Sequence, residues 1–269
     1  MKNLLADIGR GCIGAVSGLG RVTDFAGRIL YWSFTSLPQR RILMPLMHEV
    51  GVRSVPVVLA TGTFMGMVLA VQMYSQLHRL GAENAAGMII NISMVKELGP
   101  VLAAVILAGR VGGAMAAELG TMRVTEQVDA LTAMGANPVR YLVVPRFLAT
   151  LLLTPILTIF SDAIGVVGGW VVSTQALRID SFFYWQNTRE ILERWDIWVG
   201  IFKSFFFGGL IGIIACYKGF TCGRGAEGVG RATTMAFVAT FISILVSNFF
   251  LAVLFRHIYN HFIGVTAVR

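Results

Sequence analysis

The chain has 269 residues, of which 56% are hydrophobic and only 13% are charged, and its mean hydropathy is +0.73. A soluble domain carries about 25% charged residues, so this composition excludes a soluble globular protein and indicates an integral membrane protein. The net charge of +8 does not indicate nucleic-acid binding, because the basic residues are spread over loops and chain ends rather than clustered among aromatics. This distribution is typical of a membrane protein with positively charged cytoplasmic loops.

An amphipathic pattern occupies residues 1–50. Apolar side chains recur there every three or four positions, as in a helix with one apolar face, and Tyr31, Trp32 and Phe34 follow near its end. We expect an interfacial amphipathic helix lying along the cytoplasmic membrane surface. The pattern equally fits a helix packed on the protein's own spans, and both arrangements can coexist. The members of the apolar face are Leu4, Ile8, Cys12, Ala15, Leu19, Val22, Ala26 and Ile29.

Five long apolar stretches follow. Each reaches the roughly 20 residues that a helix needs to cross the hydrocarbon core. Helices are expected because an open strand in lipid leaves backbone groups unpaired, and the stretches do not alternate with a period of two. The predicted fold is therefore all-α, with transmembrane helices at Ser54–Leu77, Asn84–Ala117, Phe147–Leu177, Trp198–Tyr217 and Ala232–Phe255.

The loop charges predict an orientation. Lys and Arg exceed Asp and Glu in the segment before the first stretch and in the loops 121–146 and 218–231, whereas acids exceed bases in the loop 178–196. The positive-inside rule then places the N-terminus in the cytoplasm and, after five spans, the C-terminus on the periplasmic side. The loop 178–196 also contains an aromatic-rich stretch, 181–195, that is expected to be a short helix resting on the outer leaflet or contacting an external partner.

A polar stretch between the second and third apolar segments is unusually ordered in composition. Three polar residues, Glu126, Gln127 and Asp129, alternate with Val128, Ala130, Leu131 and Met134 in the pattern of a short amphipathic helix. Gly135 ends this helix, and Asn137-Pro138 turns the chain back. A two-faced helix in a cytoplasmic loop indicates a docking element for a soluble partner.

Ionisable residues inside the apolar stretches are the strongest candidates for a binding site. A charge at mid-bilayer costs about 2.5–3.5 kcal/mol on insertion scales, so it normally faces a cavity or a partner. By the predicted topology Lys96, Glu97 and Lys203 lie in the outer half of the membrane. A lysine there can meet a phosphate or carboxylate, and Glu97 can pair with Lys203. A purely structural ion pair between helices is the equally weighted alternative. Arg110 and Glu118, nearer the inside, are expected to pair or to reach the interface.

Other chemical motifs are weak or missing. The sequence has no G-x-x-x-x-G-K-[S/T], so any ATP-driven activity requires a separate ATPase subunit. Residues 223–228 match G-x-G-x-x-G by letter, but they lie between apolar helices rather than in a βαβ unit. His257 and His261 have no third metal ligand. We therefore expect no catalytic site and no metal site in this chain.

Four sequence motifs resemble the MlaE (YrbE-type) permease family, the membrane subunits of ABC transporters that work with Mce-domain proteins. The resemblance covers nearly the whole chain, as a single membrane permease domain over 1–269 with the transmembrane bundle at 51–256. The motifs are Glu97-Leu-Gly-Pro-Val-Leu, Ala108-Gly-Arg-Val-Gly-Gly-Ala, Ala117-Glu-Leu-Gly-Thr-Met and Glu126-Gln-Val-Asp-Ala-Leu-x-x-Met-Gly-x-Asn-Pro138.

The resemblance implies an assembly and a role. Such permeases are homodimers in the bacterial inner membrane, bound to a cytoplasmic ABC ATPase, a periplasmic Mce hexamer and often a STAS-domain protein. They move phospholipid between the inner membrane and the outer envelope and maintain outer-membrane lipid asymmetry. The chain itself would hold no cofactor, since ATP and Mg²⁺ bind the partner ATPase. Implied lipid-cavity residues are Lys96, Glu97 and Lys203, and implied ATPase-coupling residues are Glu126, Gln127, Asp129, Leu131, Met134 and Gly135.

Two other functions compete with this one. A secondary transporter or channel for an amphiphilic solute would need no ATPase, but the sequence lacks the inverted repeats typical of such proteins. A membrane-embedded lipid enzyme would need a catalytic constellation, and none is recognisable. A co-purifying ATPase would separate the permease from both alternatives.

Overall fold

The structure, a computed structural model, describes residues 2–36 and 38–263, except for the side chains at 2–12, 15, 84, 262 and 263. The predicted external C-terminus at Arg269 and the first half of the predicted apolar face, Leu4 to Ala15, lie outside the described residues or side chains. Over the described ranges the secondary structure is helical. In chain order the helices are α1 (Lys2–Thr35), α2 (Arg40–Val50), α3 (Val55–His78), α4 (Ala86–Val124), α5 (Gln127–Ala133), α6 (Val139–Ala176), α7 (Ser181–Ile191), α8 (Arg194–Phe220) and α9 (Gly225–Ile258).

The five predicted membrane spans are confirmed as helices long and apolar enough to cross a bilayer. They correspond to α2–α3 together, α4, α6, α8 and α9. The helices extend beyond the apolar runs: α8 begins at Arg194 rather than Trp198, and α6 begins at Val139 rather than Phe147. A helix satisfies its own backbone whether lipid or water surrounds it, so helical structure continues where the hydrophobic signal stops.

Helix α4 is not uniformly α-helical. It is interrupted by π-helical turns at Met94–Leu98 and Ala108–Gly112. A π turn accommodates one extra residue and changes the direction in which the following side chains point. The first π turn carries Lys96 and Glu97 and the second carries Arg110, so each intramembrane charge of this span lies on a widened turn.

Small residues hold α3 against α6 at very short range. A Cβ atom added to Gly66 would lie 1.9 Å from the carbonyl oxygen of Gly165, and one added to Gly62 would lie 2.6 Å from that of Ser161. Lipid supplies no hydrophobic force between spans, so this backbone approach supports the contact by dispersion instead. The glycines Gly208 and Gly212 of α8 pack against α6 in the same way. These small-residue seams join helices within one chain.

The joint between α2 and α3 is tied to α4. Arg110 donates to the Ser54 hydroxyl at 2.6 Å and to the carbonyl oxygen of Glu49 at 3.4 Å. Nearer the same end of the bundle, Glu118 accepts from Arg146 at 3.0 Å. Arg110 therefore has two neutral hydrogen-bond acceptors, and Glu118 has an ion-pair partner. Helix α2 packs on the helical core through Val50.

The long first helix divides into two parts. Near its C-terminal end Ile29 is fully buried, and Phe25 packs edge-on against Tyr217 and at a tilt against Phe220 of α8. Arg140 lies over the ring of Trp32. The preceding turns expose large apolar side chains, since Ile13, Val16 and Leu19 are each about two-thirds accessible or more. Packing on the protein's own spans thus accounts for the last turns of α1, and the preceding turns keep an uncovered apolar surface.

Helix α7 connects α6 to α8 at the opposite end from α5. Its buried Tyr184 donates to Asn91 Oδ1 of α4 at 3.1 Å, and Asn91 donates to Thr188 at 2.9 Å. Burial raises the pKa of Tyr184 to about 12, so the hydroxyl remains a donor at neutral pH. This polar network fixes α7 on the N-terminal end of α4, while Phe182 and Phe183 stay exposed.

Candidate functional site

A buried ion pair joins α4 and α8. Lys203 is fully buried, and its Nζ lies 2.6 Å from Glu97 Oε1. The same ammonium lies 3.4 Å from the backbone carbonyl oxygen of Lys96, and Asn248 of α9 donates to Glu97 Oε2 at 3.2 Å. The pairing of Glu97 with Lys203 expected from sequence is present. A lysine removed from water requires such partners, because an uncompensated charge in a low-dielectric interior is strongly destabilising.

A second ion pair lies beside the first. Lys96 Nζ is 2.6 Å from Asp196 Oδ1, and Asp196 is largely buried. Asp196 also accepts from the backbone N–H of Glu193, which closes a capping box at the start of α8. The two pairs form a cluster at the α7 end of the bundle. It is named the outer cluster after the topology predicted from the loop charges and is defined as Lys96, Glu97, Asp196, Lys203 and Asn248.

Helix periodicity explains the outer cluster. Asp196 and Lys203 are seven residues apart on α8, so they lie on the same face two turns apart. Lys96 and Glu97 are neighbours in sequence, and the π turn that carries them lets both reach this face of α8. Lys96 therefore pairs with Asp196, and its neighbour Glu97 pairs with Lys203 two turns further along α8.

The outer cluster borders an open cleft of about 430 Å³ between α4, α8 and the end of α9. Its lining carries three cationic side chains, Lys96, Lys203 and Arg256, against one carboxylate, Glu97. Three aromatic side chains, Trp195, Phe255 and Tyr259, form part of the wall, with Trp195 packed edge-on against Phe255. Lys203 is neutralised by Glu97 and Lys96 by Asp196, whereas Arg256 forms no salt bridge within the described residues. A cleft with these cations and apolar walls suits a molecule with an anionic head and hydrocarbon chains.

Sequence reasoning found three members of the outer cluster and missed two. The loop charges place Asp196 at the end of the predicted outer loop 178–196, although its spacing of seven from Lys203 is a usable signal. Asn248 lies in a charge-free apolar run, where a lone amide gives little warning of its role. Neither partner follows from local pattern, because both contacts join positions more than 90 residues apart.

Helix α5 lies at the other end of the bundle. Glu126 has a left-handed backbone, with φ of 61°, and the helix begins at the next residue. Gly135 follows the helix with φ of 78°, a conformation that glycine adopts without strain. Asn137 Oδ1 then accepts from the backbone N–H of Val139 at 3.0 Å and opens α6.

Five of the six predicted coupling residues are exposed, and the sixth, Leu131, is half-buried. Val128 is the only fully buried side chain of α5, and Leu131 is half-buried. Glu126, Gln127, Asp129 and Gly135 are exposed, and Met134 is 73% accessible. The apolar face is therefore narrower than the sequence pattern predicted, because Met134 points into solvent rather than onto the bundle.

One ion pair stabilises this exposed end. Arg123, in the last turn of α4, donates to Asp129 of α5. Both side chains are about half accessible, so the pair is screened by water and contributes little to stability. Its effect is to orient α5 relative to α4.

Comparison with known proteins agrees with this architecture. The sequence model of the family described as Permease MlaE matches residues 43–254. A probable ABC transporter permease of Rickettsia prowazekii is 47% identical over 77% of this chain and 80% of its own length. The intermembrane phospholipid transport system permease protein MlaE of Haemophilus influenzae is 36% identical over 93% of this chain and 96% of its own.

A plant protein is also similar. The chloroplastic protein TRIGALACTOSYLDIACYLGLYCEROL 1 of Arabidopsis thaliana is 36% identical over 87% of this chain and 67% of its own length. The family match extends from α2 to near the end of α9 and includes both the outer cluster and α5. The chain belongs to the MlaE permease family.

Proposed function

We propose that this chain is the membrane subunit of an ATP-driven transporter that moves phospholipids between the bacterial inner membrane and the outer envelope, and so maintains outer-membrane lipid asymmetry. The observation that carries the proposal is the outer cluster at the edge of its open cleft. A fully buried lysine paired to a half-accessible glutamate is unusual in a membrane span, and intramembrane ionisable groups commonly mark substrate pathways.

The cleft is chemically suited to a phospholipid. Its three cations attract a phosphate, and Lys96 and Arg256 lie at its lining. The aromatic wall and the apolar surfaces of α8 and α9 suit acyl chains. Because Glu97 already neutralises Lys203, an arriving phosphate competes with a carboxylate for the ammonium group. Binding and release of lipid are thereby linked to the exchange of one ion pair for another.

Coupling to an ATPase is assigned to α5. Its exposed residues, with Met134 the most accessible of the large apolar ones, form a short protruding surface that a soluble protein can grip. Helix α4 runs without a break from the outer cluster to the residues just before α5. A displacement of α5 by closure of an ATPase pair would therefore act directly on the helix that carries Lys96 and Glu97. The partner ATPase would hold ATP and Mg²⁺.

The remaining partners follow from the same proposal. A second copy of the chain would close the open side of the cleft, beside Arg256 and Asn260 at the end of α9. A periplasmic Mce hexamer, receiving the lipid, would contact the end of the bundle that carries α7, and a STAS-domain protein would bind the ATPase. In the proposed orientation, which follows the positive-inside rule, the N-terminus lies in the cytoplasm and the C-terminus in the periplasm.

The decisive experiment is reconstitution. The chain is purified with its co-purifying subunits, their masses and bound lipids are determined by mass spectrometry, and ATP-dependent lipid transfer is measured in proteoliposomes. We expect an ABC ATPase in the complex, phospholipid bound, and transfer that stops without ATP. Full transfer by the isolated chain in the absence of any ATPase would favour the secondary transporter and overturn the proposal.

A further inference from the structure

A second cleft lies between the end of α8 and the start of α9, on the same end of the bundle as α5. This α8–α9 cleft has a volume of about 420 Å³, within the range of about 300–1,000 Å³ typical of small-ligand sites. It is separate from the outer cluster, since the two share no lining residue. The functional-site residues predicted from sequence do not include any member of it.

Basic residues surround this cleft. Lys218 lies in the last turn of α8, Arg224 immediately precedes α9, and Arg231 lies in the second turn of α9. One carboxylate, Glu227, lines the cleft with them. Within the described part of the chain these three cations form no salt bridge with any acid. The lining of the cleft therefore carries three cations against one carboxylate, and Arg224 also lines an adjoining cleft with Glu126 and Asp129.

An apolar stripe runs from the cleft along α9. Arg231, Met235, Val238 and Ile242 are spaced by four, three and four residues, so they share one helix face. Met235 lines the cleft, and Met235, Val238 and Ile242 are 46%, 41% and 53% accessible. A cationic head site thus continues into an uncovered hydrocarbon surface on a membrane-spanning helix.

The loop that forms the cleft is held in shape. A Cβ atom on Gly228 would lie 2.3 Å from the carbonyl oxygen of Gly223, and Gly225 has φ of 77°. Cys222 Sγ donates to the carbonyl oxygen of Gly120 at 3.4 Å, which fixes the loop on the end of α4. A preformed site loses less entropy on binding than a loop that must be ordered first.

We propose that the α8–α9 cleft binds the phosphate-containing head group of an anionic phospholipid of the inner leaflet, with an acyl chain along the α9 stripe. Basic pockets between membrane helices on the cytoplasmic side are suited to such head groups. A soluble acidic partner would satisfy the cations but cannot reach Ile242 within the span. A second copy of the chain would bring its own three cations against these. The leaflet assignment rests on the orientation proposed above.

Cys222, which lines the cleft, supplies a local probe. The full complex is placed in nanodiscs of phosphatidylcholine alone or with phosphatidylglycerol, in a Cys12→Ser background, and the rate of labelling by a water-soluble maleimide is measured. Cys216 is fully buried and is retained. We expect labelling of Cys222 to slow several-fold when phosphatidylglycerol is present, and this ratio to return to one in the triple variant Lys218→Gln, Arg224→Gln, Arg231→Gln.

Two controls isolate the site. Arg40→Gln with Arg41→Gln removes exposed basic charge elsewhere and should leave the protection of Cys222 intact. Leu80→Cys with Cys222→Ser reports the general effect of anionic lipid at an exposed position away from α5, since Leu80 is 77% accessible, and its labelling rate should change little. Equal rates at Cys222 in both lipids, or protection that survives the triple variant, overturns the lipid site. Protection by the ATPase in both lipids alike would identify a protein occupant instead.

The result does not depend on the proposed transport activity. Both faces of a nanodisc are open to the reagent, so the measurement also does not depend on which end of the bundle is cytoplasmic. ATP-dependent lipid transfer, measured on the same preparations, tests the transport function separately. Loss of transfer with Cys222 protection intact contradicts only the transport proposal, and the reverse outcome contradicts only the α8–α9 lipid site.

Discussion

The two ends of α4 carry charges in opposite ways. In its N-terminal half Glu97 meets Lys203, a lysine with no accessible surface, and Asn248 holds the second carboxylate oxygen. At its C-terminal end Arg123 meets Asp129, and both side chains are about half accessible. The same helix thus connects a desolvated ion-pair cluster to a solvated one.

The difference shows how burial decides what a charge contributes. A buried charge that loses its partner destabilises a protein by about 3–5 kcal/mol, whereas an exposed pair is worth about 0–1 kcal/mol. The outer cluster is therefore built into the fold, and the inner charges are available to a partner at little expense in stability. The variants below are arranged by their expected effect on the folded state.

Glu97→Ala is expected to have the largest effect. It leaves Lys203 buried beside the carbonyl oxygen of Lys96 without a carboxylate, and we expect a loss of about 3–5 kcal/mol in stability. The free energy of unfolding is measured by denaturant titration in detergent or nanodiscs. Glu83→Ala, which removes an accessible carboxylate in the loop before α4, is the control and should change it by less than about 1 kcal/mol.

The double variant Glu97→Leu with Lys203→Met separates fold from function. Replacing both partners of a buried ion pair by apolar residues of similar size is often neutral or stabilising. We expect stability within about 1 kcal/mol of the native chain, but loss of bound phospholipid and of transfer. Retention of lipid and transfer at native levels would show that the pair is only structural.

Asp196→Asn should have an intermediate effect. Lys96 keeps about a third of its side-chain surface accessible, so water partly replaces the lost carboxylate. The capping-box contact to the Glu193 N–H can be retained by the amide oxygen. We expect a loss of about 1–2 kcal/mol, smaller than for Glu97→Ala, measured by the same titration. A loss as large as that of Glu97→Ala would mean that Asp196, rather than Glu97, is the main partner of the cluster.

Glu126→Lys with Asp129→Lys should barely affect stability. Both positions are exposed, and only the accessible pair with Arg123 is broken. We expect ATPase co-purification to fall several-fold while the unfolding transition stays unchanged. Asp24→Lys with Glu190→Lys makes the same charge change at exposed positions away from α5 and should leave the complex intact. If the ATPase stays bound to the α5 variant, the coupling assignment is wrong.

A reporter fused after Arg269 leaves the helix bundle unaltered. It tests whether the end of the bundle that carries α5 or the end that carries the outer cluster faces the cytoplasm. Five spans and an internal N-terminus predict an external C-terminus. We expect alkaline phosphatase activity, which requires export, and no fluorescence from a fused green fluorescent protein, which requires the cytoplasm. The opposite pair of signals would reverse the assignment of the outer cluster and α5.

The spans and three members of the outer cluster can be predicted from the sequence because both produce local signals. A charge within an apolar run is conspicuous, and Lys96, Glu97 and Lys203 were identified in this way. The matching of Glu97 to Lys203 required helix order and charge sign alone. The short helix predicted around Glu126–Met134 corresponds to α5, which spans Gln127–Ala133. Its end is visible in the sequence because Gly135 stops the helix and Asn137 begins the turn that follows.

The rest depends on tertiary geometry. Asp196 joins the cluster only because the π turn at Met94–Leu98 directs Lys96 toward it, and a sequence pattern does not reveal a π turn. The packing of α2 on the core depends on the joint that Arg110 holds from α4. Met134 fits an apolar face by periodicity but lies beyond the last contact of α5 with the bundle. The contact of Asp196, the packing of α2 and the exposure of Met134 all depend on the position of a helix that is distant in sequence.

The distance along the chain between Glu97 and Lys203 bears on biogenesis. Glu97 is synthesised 106 residues before its partner, so α4 must enter the bilayer with an unmatched carboxylate, at a cost of about 2.5–3.5 kcal/mol on insertion scales if it is ionised. Helix α8 arrives later with a lysine of opposite sign. The carboxylate of Glu97 therefore stays without its lysine partner until the fourth span is inserted, and a polypeptide truncated before α8 would lack this ion pair.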